Sequence, residues 1–126
     1  MNEKNYWLIL GAILAAIGVS AGAAGAHLLQ PIISEVSFVT FNKAVRYQMY
    51  HSFALIFVSI LSTQIQGKAL NIAGWLFLLG ILLFSGSLYL IVLTGLQWFE
   101  VFSPIGGFAF VFGWLSLAYA GYQNRK

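Results

Sequence analysis

Within one short stretch, Arg46-Tyr47-Gln48-Met49-Tyr50-His51 brings together a cation, two phenols, an amide and an imidazole. An imidazole can carry a proton or bind a metal, a guanidinium can hold an anion, and phenols and amides donate and accept hydrogen bonds. The next residues, Ser52 to Ile65, are apolar enough to read as the body of a membrane span. Polar groups leading into hydrocarbon are costly, and such a cluster is kept for a reason.

His27 is the other of the two histidines. Two imidazoles on neighbouring helices could be the axial ligands of a haem, which would make the chain a haem-binding membrane anchor using His27 and His51. The competing reading fastens helices together, with each imidazole bonded to a hydroxyl, an amide or a backbone carbonyl. The second reading is preferred, and no cofactor is expected. A metal would need further ligands, and Glu100 is the only nearby candidate, so no metal site is expected either. Arg46 and Glu100 could pair, or hold an anionic lipid head group; the alternative is that Arg46 snorkels to phosphates while Glu100 stays in water. Ser85 and Ser87 could line a polar path, although a serine in a span more often bonds the carbonyl one turn back. His51 could serve as a base, but no nucleophile or oxyanion arrangement is placed beside it by spacing, so an enzyme is not expected. With no cysteine, disulfide, thiolate and iron–sulfur chemistry are excluded.

The composition says what must position these groups. Of 126 residues, 60% are hydrophobic and 7% charged, against about 25% charged in a soluble domain. So few charges cannot cover a water-facing surface, which makes the chain an integral protein of the cell membrane. Its length allows one domain with about four spans of ~20 residues. The net charge of +3 is too small and too dispersed for nucleic acid. The fold class is all-α: a membrane four-helix bundle with spans near residues 7–29, 47–65, 69–93 and 104–122. Tyr6 and Trp7 form an interfacial aromatic pair before the first span. A cleaved signal peptide ending at Ala24-Gly25-Ala26 competes with that span, but the apolar run exceeds the usual signal core of ~7–15 residues. Pro31 closes the first helix. Residues 34–46 are amphipathic and predict an interfacial helix that bends or breaks before the second span. Pro104 suits the first turn of the fourth span.

Small residues mark the faces where helices meet. Gly11, Ala15, Gly18, Gly22 and Ala26 follow helical spacings of three and four; Ala73, Gly80, Ser87 and Thr94 recur every seven, as do Gly106, Gly113 and Ala120. Such stripes let backbones approach closely. With four spans both termini share one side with Lys68, so Lys4, Lys68, Arg125 and Lys126 face Lys43 and Arg46 across the membrane. The excess of basic residues predicts cytoplasmic termini. Chain direction then brings His27, Arg46, Gln48, His51, Tyr89 and Glu100 toward one membrane face, where a single polar cluster is expected.

Four motifs occur in order: Gly25-Ala26-His27, Tyr47-Gln48-Met49-Tyr50-His51, Phe84-Ser85-Gly86-Ser87-Leu88-Tyr89, and Pro104-Ile105-Gly106-Gly107 with Gly113-Trp114. Together they resemble the domain-of-unknown-function 423 family of small bacterial membrane proteins, related to the eukaryotic transmembrane protein 256. The resemblance extends from Gly11 to Trp114. It implies a four-helix membrane protein and carries over no catalytic residue.

Three function classes are open to such a chain. The first is a non-enzymatic protein, membrane-stabilising or accessory, that acts through helix packing and lipid contact. Its partners would be the bilayer and either a further copy of itself or another membrane protein. The haem anchor is the second. The third is a small oligomeric transporter. Against it, every glutamate lies in a tail or loop and none deep in a span; a homo-oligomer could still enclose a path.

Overall fold

The computed structural model describes residues 3–126. Met1 and Asn2, and the side chains of Glu3 and Lys4, lie outside the described residues, and with them most of the polar start of the chain. All regular structure among the described residues is helical. Helix α1 (Glu3–Ala24) passes into a π-helical turn, Gly25–Leu29. Helix α2 spans Glu35–Leu61. Helix α3 (Lys68–Gly80), a second π turn (Ile81–Ser85) and α4 (Gly86–Thr94) form one continuous rod. A 3-10 turn at Gln97–Val101 leads into α5 (Phe102–Gln123). Three of these long helices, Asn5–Leu29, Lys68–Thr94 and Gln97–Gln123, are long and apolar enough to cross a membrane.

The interfacial helix expected over residues 34–46 is not separate from the segment after it. Helix α2 has 27 residues and runs through Arg46 without a break. Two features explain this. The Ser34 hydroxyl caps the start, accepting from the Ser37 N–H at 3.1 Å, which satisfies a donor that a helix start leaves free. Thereafter Phe41, Ala44, Gln48, Ser52, Leu55 and Ser59 keep one buried stripe on both sides of the junction, while Asn42, Lys43 and Arg46 remain exposed. Polarity changes along α2, but the buried face does not, so nothing requires a bend.

Neighbouring helices run antiparallel. Helix α1 lies along α2, with Gly11 against Ser52 and Ile56, Gly18 against Met49, Gly22 against Val45 and Gly25 against Phe41. The α3–α4 rod lies along α5 in the same manner: Gly80 meets Phe110, Gly106 meets Phe84 and Gly113 meets Phe77. Gly11, Gly18, Gly22, Gly80, Gly106 and Gly113 thus lie at helix contacts, whereas Thr94, expected on the same seam as Gly80, is exposed. Ser87 touches α5 through its hydroxyl, 2.8 Å from that of Ser103. The stripe on α1 ends at Gly25 rather than Ala26, which is exposed. Between the two pairs, α2 packs on the rod, where Ser85 donates to the Ala44 carbonyl at 2.7 Å.

The turn between α2 and α3 is pinned by the end of α5. Asn124 accepts from the Gln66 N–H at 3.1 Å and donates to the Gln66 carbonyl at 2.8 Å. The next residue, Gly67, has φ of 116°, a conformation that a side chain would strain. The core fills the space between α2, α3 and α5, with Leu55, Val58, Ala73 and Phe77 almost wholly buried.

Candidate functional site

The packing of α2 decides where its polar side chains go. Gln48 and His51 are three residues apart and both buried, but they serve different neighbours. Gln48 points between α1 and α4: its amide nitrogen donates to the Leu14 carbonyl at 2.8 Å, and its amide oxygen accepts from the Tyr89 hydroxyl at 2.6 Å. One side chain thereby ties three helices together. Tyr89 also packs edge-on against Phe41, with ring centroids 5.3 Å apart.

His51 points the other way, into the aromatic space between α2, α3 and α5. Its ring stacks on Phe110 at a centroid distance of 3.5 Å and an interplanar angle of 10°. Phe77 and Trp114 flank it at 5.7 Å each. The Trp114 indole donates to His51 Nε2 at 3.0 Å, and Nδ1 lies 2.7 Å from the Tyr47 carbonyl. An indole N–H can only donate, so Nε2 must be the bare nitrogen; Nδ1 then carries the hydrogen and donates to the carbonyl. Both contacts demand the same tautomer, and both ring nitrogens are occupied.

The six residues expected to form one polar cluster therefore do not do so. Gln48 and Tyr89 are bonded to each other, His51 lies on another side of α2, and His27, Arg46 and Glu100 are exposed. Depth is the reason for His27. Its π turn begins at Gly25, which packs on Phe41, and His51 is ten residues further along α2, roughly 15 Å at ~1.5 Å per residue. The two imidazoles do not converge, and the nitrogens of His51 are already engaged, so these residues do not fit a haem. Arg46 reaches over Tyr47, its guanidinium carbon 5.9 Å from the ring centroid, and is not paired with Glu100. Glu100 instead lines a small polar hollow of about 230 Å³ together with Lys43, Ser37 and Thr40. No group of three or more His, Asp and Glu that could hold a metal occurs among the described residues.

The serines divide in the same way. Ser87 donates to the carbonyl of Phe84, one turn back, at 2.8 Å, whereas Ser85 reaches across to α2. Ser85 can do so because it ends the π turn Ile81–Ser85, and an added residue in a helical turn redirects the side chains beyond it.

Sequence reasoning missed Trp114 as the partner of His51 and Asn71 as the partner of Trp7, whose indole donates to it at 3.0 Å. Chain direction held the signal for the first. Helices α2 and α5 both oppose the rod, where Ser85 meets Ala44 and Phe84 meets Gly106. Seven residues beyond Ala44 is His51, and eight beyond Gly106 is Trp114, so they share a depth.

Known proteins are similar to this chain in sequence. A family model described as "Protein of unknown function (DUF423)" matches residues 21–107. The chain belongs to this family. All four motifs that carry the resemblance begin inside the matched region, and only Gly113-Trp114 falls beyond it. A UPF0382 membrane protein of Staphylococcus aureus (strain bovine RF122 / ET3-1) is 44% identical over 119 residues, 93% of this chain and 95% of the relative. The UPF0382 membrane protein YwdK of Bacillus subtilis (strain 168) is 38% identical over 115 residues, 90% of this chain and 94% of the relative. No solved structure matches the chain. The family's description assigns no activity, and the relatives are named as membrane proteins, in keeping with the three apolar helices.

Proposed function

We propose that this protein is a non-enzymatic, membrane-stabilising or accessory protein that acts through helix packing and lipid contact. One observation carries the reading: every buried side-chain nitrogen and oxygen among the described residues already has a hydrogen-bond partner within the chain. A catalytic or transport site holds some polar group ready for its substrate, whereas Gln48, His51 and Ser85 are all spent on holding helices together. The surface for a partner is on α1. Its glycine stripe lies on α2, while Ile9, Ile13 and Ile17, spaced by four, are turned outward. These rigid branched side chains are suited to a helix of another protein.

A photoreactive residue at Ile13 in growing cells tests this. The expected result is a discrete adduct with one membrane protein, lost when Ile9 and Ile17 are replaced by smaller alanines. Adducts with lipid alone would sink the accessory role.

In this reading α2 is a fourth span and both termini are cytoplasmic, with the loop before α2 outside. Because the chain has no cysteine of its own, single cysteines report topology cleanly. Ile32→Cys should react with an impermeant thiol reagent on intact cells and Gln64→Cys should not, both positions being exposed. The reverse pattern overturns the orientation, and reaction of both overturns the number of spans.

A further inference from the structure

Helices α2 and α5 diverge enough to leave an open groove of about 660 Å³ between them. The buried rings of Phe110 and His51 lie at its floor with Phe84, and Trp114 lines it beside them. Nearly all of this lining is aromatic, and the one imidazole in it has both nitrogens engaged. Such a groove inside a bilayer cannot be left to water along its floor, because no free polar group there would hydrogen-bond it. Hydrocarbon fills it.

One end of the groove is different. Arg46, Tyr50, Phe53 and Phe57 follow spacings of four, three and four, so they form a single stripe along the rim, and all four are exposed. Arg46 lies over the ring of Tyr47, which itself lines the groove. The guanidinium of Arg46 and the hydroxyls of Tyr47 and Tyr50 have no hydrogen-bond partner among the described residues. Three donors, one of them charged, therefore stand unused where the groove opens. From Arg46 to Phe57 is eleven residues, about 16 Å of helix, and half of a ~30 Å hydrocarbon core is the depth of one leaflet's chains. Cation, donors and apolar channel thus match in order and length the phosphate, glycerol backbone and acyl chain of a phospholipid.

We propose that the α2–α5 groove binds one anionic phospholipid, its phosphate on Arg46 and one acyl chain along the aromatic floor. Arg46 selects the charge. Tyr47 and Tyr50 hold the polar backbone of the lipid, and Phe84 and Phe110 fix the chain. The proposal rests on α2 crossing the membrane, which the cysteine labelling tests by itself, and it does not depend on a protein partner at α1.

Native mass spectrometry of the detergent-purified full chain, supplied with dioleoyl phosphatidylglycerol or dioleoyl phosphatidylethanolamine, tests it. One phosphatidylglycerol per chain should be retained in preference to phosphatidylethanolamine. Arg46→Gln should weaken that preference roughly fivefold, the size expected of one basic residue facing an anionic lipid. Gly107→Leu should remove retention of both lipids by filling the groove: the only side chain near a Cβ there is Phe84, at 4.0 Å. If that variant does not fold, Val111→Trp, from an exposed position on the same wall, makes the same test. Equal retention of the two lipids, or retention unchanged in Arg46→Gln or in the filled variant, overturns the proposal. So does a dimer dissociated by Gly107→Leu, which would make a second copy of the chain the occupant.

Discussion

Gly106→Ala is expected to destabilise the protein by about 3 kcal/mol, the upper end of what a methyl forced into a close-packed contact costs. A Cβ at this position would meet the backbone nitrogen of Phe84, with the Phe84 Cβ 2.8 Å away and the Leu83 carbonyl carbon 2.9 Å away. Two of those three atoms are backbone, so no side chain can rotate aside, and the backbones of the π turn Ile81–Ser85 and of α5 must separate. Separation would loosen Ser87 from Ser103 and Phe84 from Phe110, whose rings are tilted at 58° with centroids 5.7 Å apart. Gly121→Ala is the matched control on the same helix, because a Cβ there has nothing within 4 Å. It should be neutral or slightly stabilising, since alanine is favoured over glycine in a helix by up to about 1 kcal/mol. Thermal unfolding in one detergent compares the two. Equal melting temperatures for both variants would contradict the close contact at Gly106.

That contact also shows what can be read from the sequence. A seven-residue interval in Gly106, Gly113 and Ala120 marks a face, because heptad spacing keeps side chains on one side of a helix. It does not say which helix faces it. The helical class, the membrane setting and the four long helices are legible in composition and in Pro31 and Pro104, which act locally. The junction near Arg46 is misread when polarity and burial are treated as one signal. Asn42, Lys43 and Arg46 suggest a surface helix, yet Phe41, Ala44 and Gln48 continue the buried stripe beneath them. Neither π turn is legible. Each displaces the register by a residue, which turns Ala26 out of its stripe and aims Ser85 at α2.

The polar cluster fails for a related reason. Shared depth in the membrane is set by chain direction and can be counted; azimuth is set by which helix packs on which side. Gln48 and His51 share a depth, but α1 and α4 take up one and α5 the other. Counting residues brings groups to one level and says nothing about which neighbour they turn to.

His51 tests whether an imidazole in this setting is a fastener. His51→Ala should cost about 3 kcal/mol, because it leaves a cavity beside the ring of Phe110, within the ~2–5 kcal/mol range of large-to-small core changes. Loss of volume would produce that result whatever the imidazole does, so the informative variant is His51→Phe. It keeps the ring and its stacking while removing the acceptor for the Trp114 indole and the donor to the Tyr47 carbonyl. Trp114→Phe removes the other half of the first bond. Each should cost about 1 kcal/mol, the usual net worth of such a bond, raised or lowered by how well the orphaned group finds another partner. Combined, the two changes should cost less than their sum by about 0.6 kcal/mol, the mean coupling of hydrogen-bonded pairs inside membranes. The four proteins are compared by unfolding in the same detergent. Costs that add to within ~0.3 kcal/mol mean the two groups act independently, and His51 would then need a purpose other than joining α2 to α5.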